Sequence, residues 1–261
     1  MSKHTPQISV RNLTMAYGSN IVMRDLNFDI ERGEIFAIIG GSGCGKSTLL
    51  RHMIGLKEPA KGEILYDGKS FTSSSPKEKD TLMRRFGVLY QSSALWSSLT
   101  LAENIGIPLE EHTKLSKKTI ADIISYKLSL VGLGGFEEYY PSEISGGMKK
   151  RAALARAMAL DPEILFFDEP SAGLDPITSK RLDELIVQIS ESMQTTVVLV
   201  THELPSLLGI ATNSIFLDVT TKTQAAVGDP KELKEHCKLP QVREFLNRGQ
   251  NVEPSSHSHS S

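Results

Sequence analysis

Nine consecutive residues, Gly40, Gly41, Ser42, Gly43, Cys44, Gly45, Lys46, Ser47 and Thr48, have the composition of a phosphate-binding loop. Glycines let the backbone turn tightly and aim its N–H groups inward at an anion. A helix that starts at the end of such a loop adds a partial positive charge. Lys46 would reach the β- and γ-phosphates of a nucleoside triphosphate, and the Ser47 hydroxyl would sit on Mg²⁺. A second chemical pair lies far downstream, where Asp168 and Glu169 follow the apolar run Ile164-Leu165-Phe166-Phe167 and precede Pro170. A carboxylate at that strand end can hold Mg²⁺, directly or through water, opposite Ser47. Glu169, expected to point the other way along an extended chain, could orient or deprotonate a water attacking the γ-phosphate. The alternative is two solvated acids opening a loop, against which stand the apolar run before them and the proline after. Cys44 reads as a small filler of the loop, open to alkylation that nucleotide would slow.

The flanks supply the elements such a loop requires. Ile35-Phe36-Ala37-Ile38-Ile39 reads as a buried strand and Leu49 to Ile54 as the opening of a helix ended by Gly55. Ile164–Phe167 and Thr196–Val200 are near-continuous apolar runs, as in parallel strands buried on both faces. Between them, Pro176 to Met193 carries helical spacing through Leu182, Leu185, Ile186 and Ile189. Upstream, Ile8–Tyr17 alternates apolar and polar residues, Phe28–Ile30 does so weakly, and a Gly18-Ser19-Asn20 turn lies between, predicting antiparallel strands. Tyr17 could return its ring to the nucleotide or be a half-buried strand residue; spacing leaves both open. Glu63–Tyr66 and Phe86–Tyr90 read as strands around a short polar helix, Lys77–Arg85. Helical periodicity then dominates from Leu101 to Tyr140, predicting an inserted helical subdomain over about residues 92–159. Ser214–Val219 and Thr223–Val227 predict a closing hairpin, Asp229-Pro230 a capped helix, and Gln241–Leu246 a last amphipathic segment. The expected fold is α/β, a P-loop NTPase with a mostly parallel core sheet, an N-terminal antiparallel β region and the helical insertion, over residues 1–250. The Ser/His-rich stretch 251–261 reads as a disordered tail.

Composition narrows the function. A chain of 261 residues fits one large domain, and 29 basic against 31 acidic side chains leave a formal charge of −2, with no electrostatic footprint for nucleic acid. Two cysteines, Cys44 and Cys237, give no disulfide framework. Met1 to Gln7 is polar and no apolar run approaches the ~18 residues of a membrane span, so work at a membrane would require another chain as anchor.

Further motifs identify a resemblance. Ile144-Ser145-Gly146-Gly147-Met148-Lys149-Lys150-Arg151 resembles the signature motif of ABC-type ATPases, standing before an Ala-rich helix and ahead of the Asp168 strand. Gln91 resembles the family's Q-loop glutamine, Ser171-Ala172-Gly173-Leu174-Asp175 its D-loop, and His202 its switch histidine, all in the family's order. The resemblance implies ATP and Mg²⁺ as cofactors, with Ser47, Gln91 and Asp168 at the metal and Glu169, His202 and Lys46 as the catalytic set. It implies that Tyr17 stacks on adenine and that His202 bonds the γ-phosphate. It also implies an ATP-sandwich homodimer, in which Ser145, Gly146 and Gly147 of one copy reach the nucleotide on the other and Asp175 communicates across the seam. One position departs from the pattern: Met148 stands where the family has glutamine, which loses polar contacts but keeps the backbone donors.

The form S-G-G-M-K-K-R, with His202–Leu207 and Val242–Leu246, is similar to the ATPases of MCE-linked (Mla-type) lipid transporters. That resemblance implies a separate ABC-family permease as partner, a substrate-binding MCE protein and a small cytoplasmic subunit, and phospholipid or related lipid as cargo in a Gram-negative envelope. The chain would sit on the cytoplasmic face of the inner membrane, peripheral through the permease. Segment 91–105, with Trp96 and Leu99, would receive a permease helix, although Trp96 could equally pack inside the subdomain. Another ABC importer or exporter is the alternative. A soluble ABC ATPase of nucleic acid or ribosomes is the remote one, lacking here a tandem domain, a coiled-coil insert or a basic stripe.

Overall fold

The computed structural model describes residues 5–248. The strands, in chain order, are β1 (Ile8–Tyr17), β2 (Asn20–Ile30), β3 (Ile35–Gly40), β4 (Lys61–Tyr66), β5 (Lys69–Ser70), β6 (Phe86–Leu89), β7 (Ile164–Asp168), β8 (Thr196–Val200), β9 (Asn213–Asp218) and β10 (Thr223–Gly228). The helices are α1 (Lys46–Met53), α2 (Pro76–Met83), α3 (Leu101–His112), α4 (Lys117–Leu130), α5 (Gly146–Ala157), α6 (Pro176–Met193), α7 (Leu204–Ile210), α8 (Pro230–His236) and α9 (Pro240–Asn247). Among the described residues no helix is long and apolar enough to cross a membrane.

Two sheets carry the architecture. The first, in order β2-β1-β4-β5, is antiparallel, and the second runs β10-β9-β3-β8-β7-β6. In the second only β10 is antiparallel; β9, β3, β8, β7 and β6 all point the same way. Period-2 alternation sorts the central strands onto two faces. Phe36, Ile38, Ile164, Phe166, Val198 and Val200 face the antiparallel sheet and α1. Leu165, Phe167, Val197 and Leu199 face the helical layer of α3, α4, α5 and α6. Ala37 and Ile39 pack instead against α7 and α9. This accounts for runs that are apolar at every position.

The strand expected weakly at Phe28–Ile30 is a full one, Asn20–Ile30. β1 and β2 pair throughout, but the register slips between Val10 and Leu13, between Leu13 and Met15, and between Met15 and Ala16. Asn12 and Asp25 take left-handed conformations at these irregularities. Each slip resets which residue faces the core, so the strands bury Met23 and Leu26 without a continuous alternation.

The helical layer sits close to the sheet because Gly87 has no side chain. A Cβ there would meet the Ala157 carbonyl oxygen at 2.1 Å and Leu165 Cδ2 at 2.6 Å. Capping boxes start α2 at Ser75/Glu78 and α3 at Thr100/Glu103, and Ser116 caps α4. The predicted tail, 251–261, lies outside the described residues.

At the edge of the sheet where the parallel strands begin, four side chains tie the two sheets together. Arg85 bonds Asp67 at 2.5 Å and Glu163 at 2.6 Å, and Arg32 bonds the same two carboxylates. Hydrogen bonding to Arg85, ahead of the bond to Arg32, holds the Glu163 carboxyl below its ordinary range. A carboxylate lowered in the folded state contributes stability at neutral pH, lost as the pH falls below the free glutamate range. Glu163 is 44% exposed, so solvent screening keeps the contribution small. Arg85→Met should therefore cost about 1 kcal/mol at pH 7 and clearly less at pH 3, measured by urea denaturation at both pH values.

Candidate nucleotide site

Parallel register brings the chemistry to one place. Ile38 and Asp168 both stand opposite Val200, and Leu89 stands opposite Phe167. Gly40, Asp168, Gln91 and His202 therefore leave neighbouring strands at the same end, where α/β sheets bind ligands.

The loop from Gly40 to Thr48 closes between β3 and α1 by close approach. Gly40 has φ 145°, and a Cβ there would stand 2.5 Å from the Leu217 carbonyl oxygen and 2.7 Å from Cys44 Sγ. Gly43 and Gly45 are left-handed at 74° and 97°. Gly45 is the N-cap of α1 and supplies no side-chain cap bond, so the helix N-terminus offers its donors and dipole to an anion. Lys46 Nζ rests on the Gly40 and Gly41 carbonyls at 3.0 and 3.1 Å. Ser47 Oγ donates to Asp168 Oδ1 at 2.9 Å. A hydroxyl and a carboxylate meeting beside a phosphate loop form a hard oxygen donor set, which fits Mg²⁺.

Glu169 departs from expectation. The chain is not extended there: Glu169 has φ 52°, and its N–H bonds the Val200 carbonyl at 2.9 Å. This left-handed turn swings the carboxylate, only 12% exposed, onto His202, with Nδ1 at 2.8 Å from Oε2. His202 itself is 57% exposed, its Nε2 3.5 Å from Glu203 Oε1. The predicted base and the predicted phosphate-sensing histidine are thus in direct contact, and the His202 backbone N–H also donates to Glu169 Oε2 at 3.4 Å.

Lys46, Gly40, Ser42, Glu169 and His202 line a cavity of about 420 Å³. Its remaining wall is Leu204 with Phe245 and Arg248 from the α9 end of the chain. The amphipathic pattern found α9 but not its destination: Val242, Phe245 and Leu246 pack on the sheet, and Arg248 lies 4.7 Å over the Phe245 ring. Tyr17 is 51% exposed at the end of β1, with the Lys57 ammonium over its ring. Hydrogen bonding to Thr48, reinforced by the Lys57 charge, draws its phenol below the usual range. Gln91 is exposed, and its carbonyl accepts from Lys150 Nζ.

The structure does not bring Ser145, Gly146, Gly147 or Asp175 into this cavity. Ser145 caps α5 through Met148 N–H, and Asp175 caps α6 through the Ile177 and Thr178 N–H groups at 3.1 and 3.0 Å. The two helix starts touch at Gly147, where a Cβ would stand 2.5 Å from Thr178 Cγ2. Ser145, Gly147 and Met148 line a different cavity of about 530 Å³, with Arg151 and Arg181. Met148 packs against the helical core. A larger cavity still, about 780 Å³, lies between α6 and α7, but it has acidic and apolar walls and none of the phosphate-loop donors.

Sequence reasoning missed Asn104. Its side chain is fully buried and donates to the carbonyls of Trp96, Leu99 and Thr100 while accepting from Trp96 N–H at 2.8 Å. This rack leaves Trp96 63% exposed rather than packed inside the helical layer. An asparagine on the apolar stripe of α3 was the available signal.

Comparison with known proteins adds a family. A profile described as ABC transporter matches residues 23–172. The chain is 41% identical over 247 residues to the "Probable ribonucleotide transport ATP-binding protein mkl" of Mycobacterium leprae (strain TN), covering 95% of this chain and 70% of that one. It is 38% identical over 240 residues to the "Intermembrane phospholipid transport system ATP-binding protein MlaF" of Escherichia coli (strain K12), covering 92% and 88%. Among solved structures, cbiO1 from Clostridium perfringens, described as part of the ABC transporter complex cbiONQ, superposes with TM-score 0.81 at 27% identity, covering 94% and 95%. A dimeric post-hydrolysis state of the ATP-binding cassette MJ0796 bound to ADP and Pi gives 0.75 at 28%, covering 85% and 98%.

Cys44 is 1% exposed under the loop, and burial raises its thiol above the usual range despite Lys46. The filler reading therefore stands and easy alkylation does not. A thiol reagent under native conditions should modify Cys237 at least tenfold faster than Cys44, with the Cys44 rate little changed by ATP, read by mass spectrometry of peptides.

Proposed function

The chain belongs to the ABC transporter family as an ATPase subunit, and we propose that it powers a separate permease moving phospholipid or a related lipid. ABC ATPases dimerise and partner with permeases. The observation that carries the site is the convergence of the Gly40–Thr48 loop, Asp168, Glu169 and His202 on one sheet end.

The chemistry follows from the groups gathered there. The β- and γ-phosphates of ATP lie on the loop N–H groups and the α1 N-terminus, with Lys46 leaving its carbonyl rest to reach them. Ser47, Asp168 and Gln91 would hold Mg²⁺, which when bound would neutralise phosphate charge. Tyr17 offers an exposed face to adenine. Water attacks the γ-phosphorus, its proton passes to Glu169, and the bond to the bridging oxygen breaks to release ADP. His202 holds the carboxylate in place and is within the same cavity as the γ-phosphate position. Ser145, Gly146 and Gly147 at the start of α5 reach the nucleotide of a second copy, and Asp175 at the start of α6 moves with them. The exposure of Ser145, Gly146 and Asp175, and the separate cavity lined by Ser145 and Gly147, support a role across a dimer seam.

For the cargo, the support is similarity to MlaF over 92% of the chain together with the S-G-G-M-K-K-R form of the signature. The mkl relative carries a ribonucleotide name, which sets the competing cargo. Trp96 and the Asn104-held loop receive the permease, fixing the subunit at the cytoplasmic face of the inner membrane. An MCE protein and a small cytoplasmic subunit complete the assembly.

Glu169→Gln should retain ATP binding, lose roughly 10²–10⁴-fold in turnover and accumulate a closed dimer, seen by size exclusion with ATP. Normal turnover would remove Glu169 from the role of base. Lys46→Ala should weaken ATP binding tenfold or more, about 1.4 kcal/mol, by fluorescent-nucleotide titration. The chain purified with its permease should carry phospholipid by mass spectrometry; bound ribonucleotide without lipid would replace the cargo assignment.

A further inference from the structure

Lys150, on the helix that starts at the signature glycines, is 5% exposed and makes no ion pair among the described residues. Its Nζ donates to two backbone carbonyls, those of Gln91 and, at 3.5 Å, Glu169. These belong to the two strand ends from which the proposed metal ligand and the proposed base emerge, β6 and β7. Burying an ammonium without a carboxylate partner costs several kcal/mol, so a methionine of similar length would serve packing at least as well. Burial lowers the lysine from its usual range, while the Glu169 charge nearby favours the ammonium form.

The same helix holds the loop further on. Arg156 donates to the carbonyls of Ala94 at 2.7 Å and Ser93 at 3.2 Å, two consecutive left-handed residues. The segment after β6 is thus clasped to α5 at Gln91, Ser93 and Ala94, and only the Lys150 clasp also reaches the Glu169 turn.

We propose that Lys150 is a positioning residue for ATP hydrolysis, holding the Gln91 and Glu169 backbones at one spacing so that the metal ligand and the base address the same phosphate. The inference rests on the reading of Glu169 as base and Gln91 as metal ligand. A carbonyl released from Lys150 lets the Gln91 segment drift from the Glu169 turn. ATP still binds, because the phosphate loop and Tyr17 are untouched, but the water and the phosphate lose their alignment. Misplacement on the order of an ångström costs about 10²-fold in well-ordered sites.

The test uses Lys150→Met and Lys150→Arg in the full chain, with Glu169→Gln measured in parallel. Lys150→Met should lower kcat at least tenfold, leave KM for ATP within twofold, and leave the thermal midpoint unchanged or raised. The Mg²⁺ concentration that half-saturates ATP binding, read with a fluorescent nucleotide, should rise at least fivefold. Lys150→Arg, which keeps donors at that site, should recover at least a third of the wild-type kcat. An unchanged kcat in Lys150→Met overturns the inference. So does a loss of rate matched by a fall in thermal midpoint without rescue by arginine, because that marks a structural role. Normal turnover in Glu169→Gln would instead overturn the reading of the base, whatever Lys150 does.

Discussion

Everything chemical in this chain depends on the register of one parallel sheet. β3, β8, β7 and β6 run side by side, and their pairing makes their ends coincide. Gly40, Asp168, Gln91 and His202 are far apart in sequence and become neighbours through that alignment alone. A one-residue slip of a central strand would exchange its two buried faces and move its functional end by about 3.3 Å, more than a hydrogen bond tolerates. The apolar residues on both faces of β7 and β8 are therefore a condition for the chemistry as much as for stability.

The second constraint is that each copy carries its donors in two places. The phosphate loop and the Glu169–His202 pair share a cavity, whereas Ser145 and Gly147 share another with the start of α6. Gly147 packs so tightly on Thr178 that the α5 and α6 N-termini are in direct contact. Met148 is partly buried against the helical core, so the departure from the usual glutamine leaves the N-terminal N–H groups of α5 in place.

The legible parts of the molecule were those with a strong local cause. Buried strands came from unbroken apolar runs, α6 from its spacing, and the phosphate loop from glycines beside Lys46 and Ser47. The start of α8 was legible through Asp229, whose side chain caps the next turn, whereas the capping by Ser116 and Asp175 emerges only in the structure. What stayed hidden was set by tertiary placement. The bulges of β1 and β2 interrupt alternation, so residues 20–27 did not read as strand. Nothing local to Glu169 signals its left-handed turn; a bond to Val200, in a strand thirty residues on, holds it. Arg248 reaches the phosphate cavity only because α9 folds back over the sheet, and a lysine on an Ala-rich helix reads as solvated until its burial is seen.

The strand order also divides stiff parts from yielding ones. β3, which leads into the phosphate loop, lies inside the sheet with neighbours on both sides, while the four-residue β6, which ends two residues before Gln91, is an edge strand. The cradle is anchored by two ladders and the glutamine by one. The difference is made up by side chains: the segment after β6 is held by the Lys150 and Arg156 clasps from α5, where the phosphate loop relies on the sheet itself.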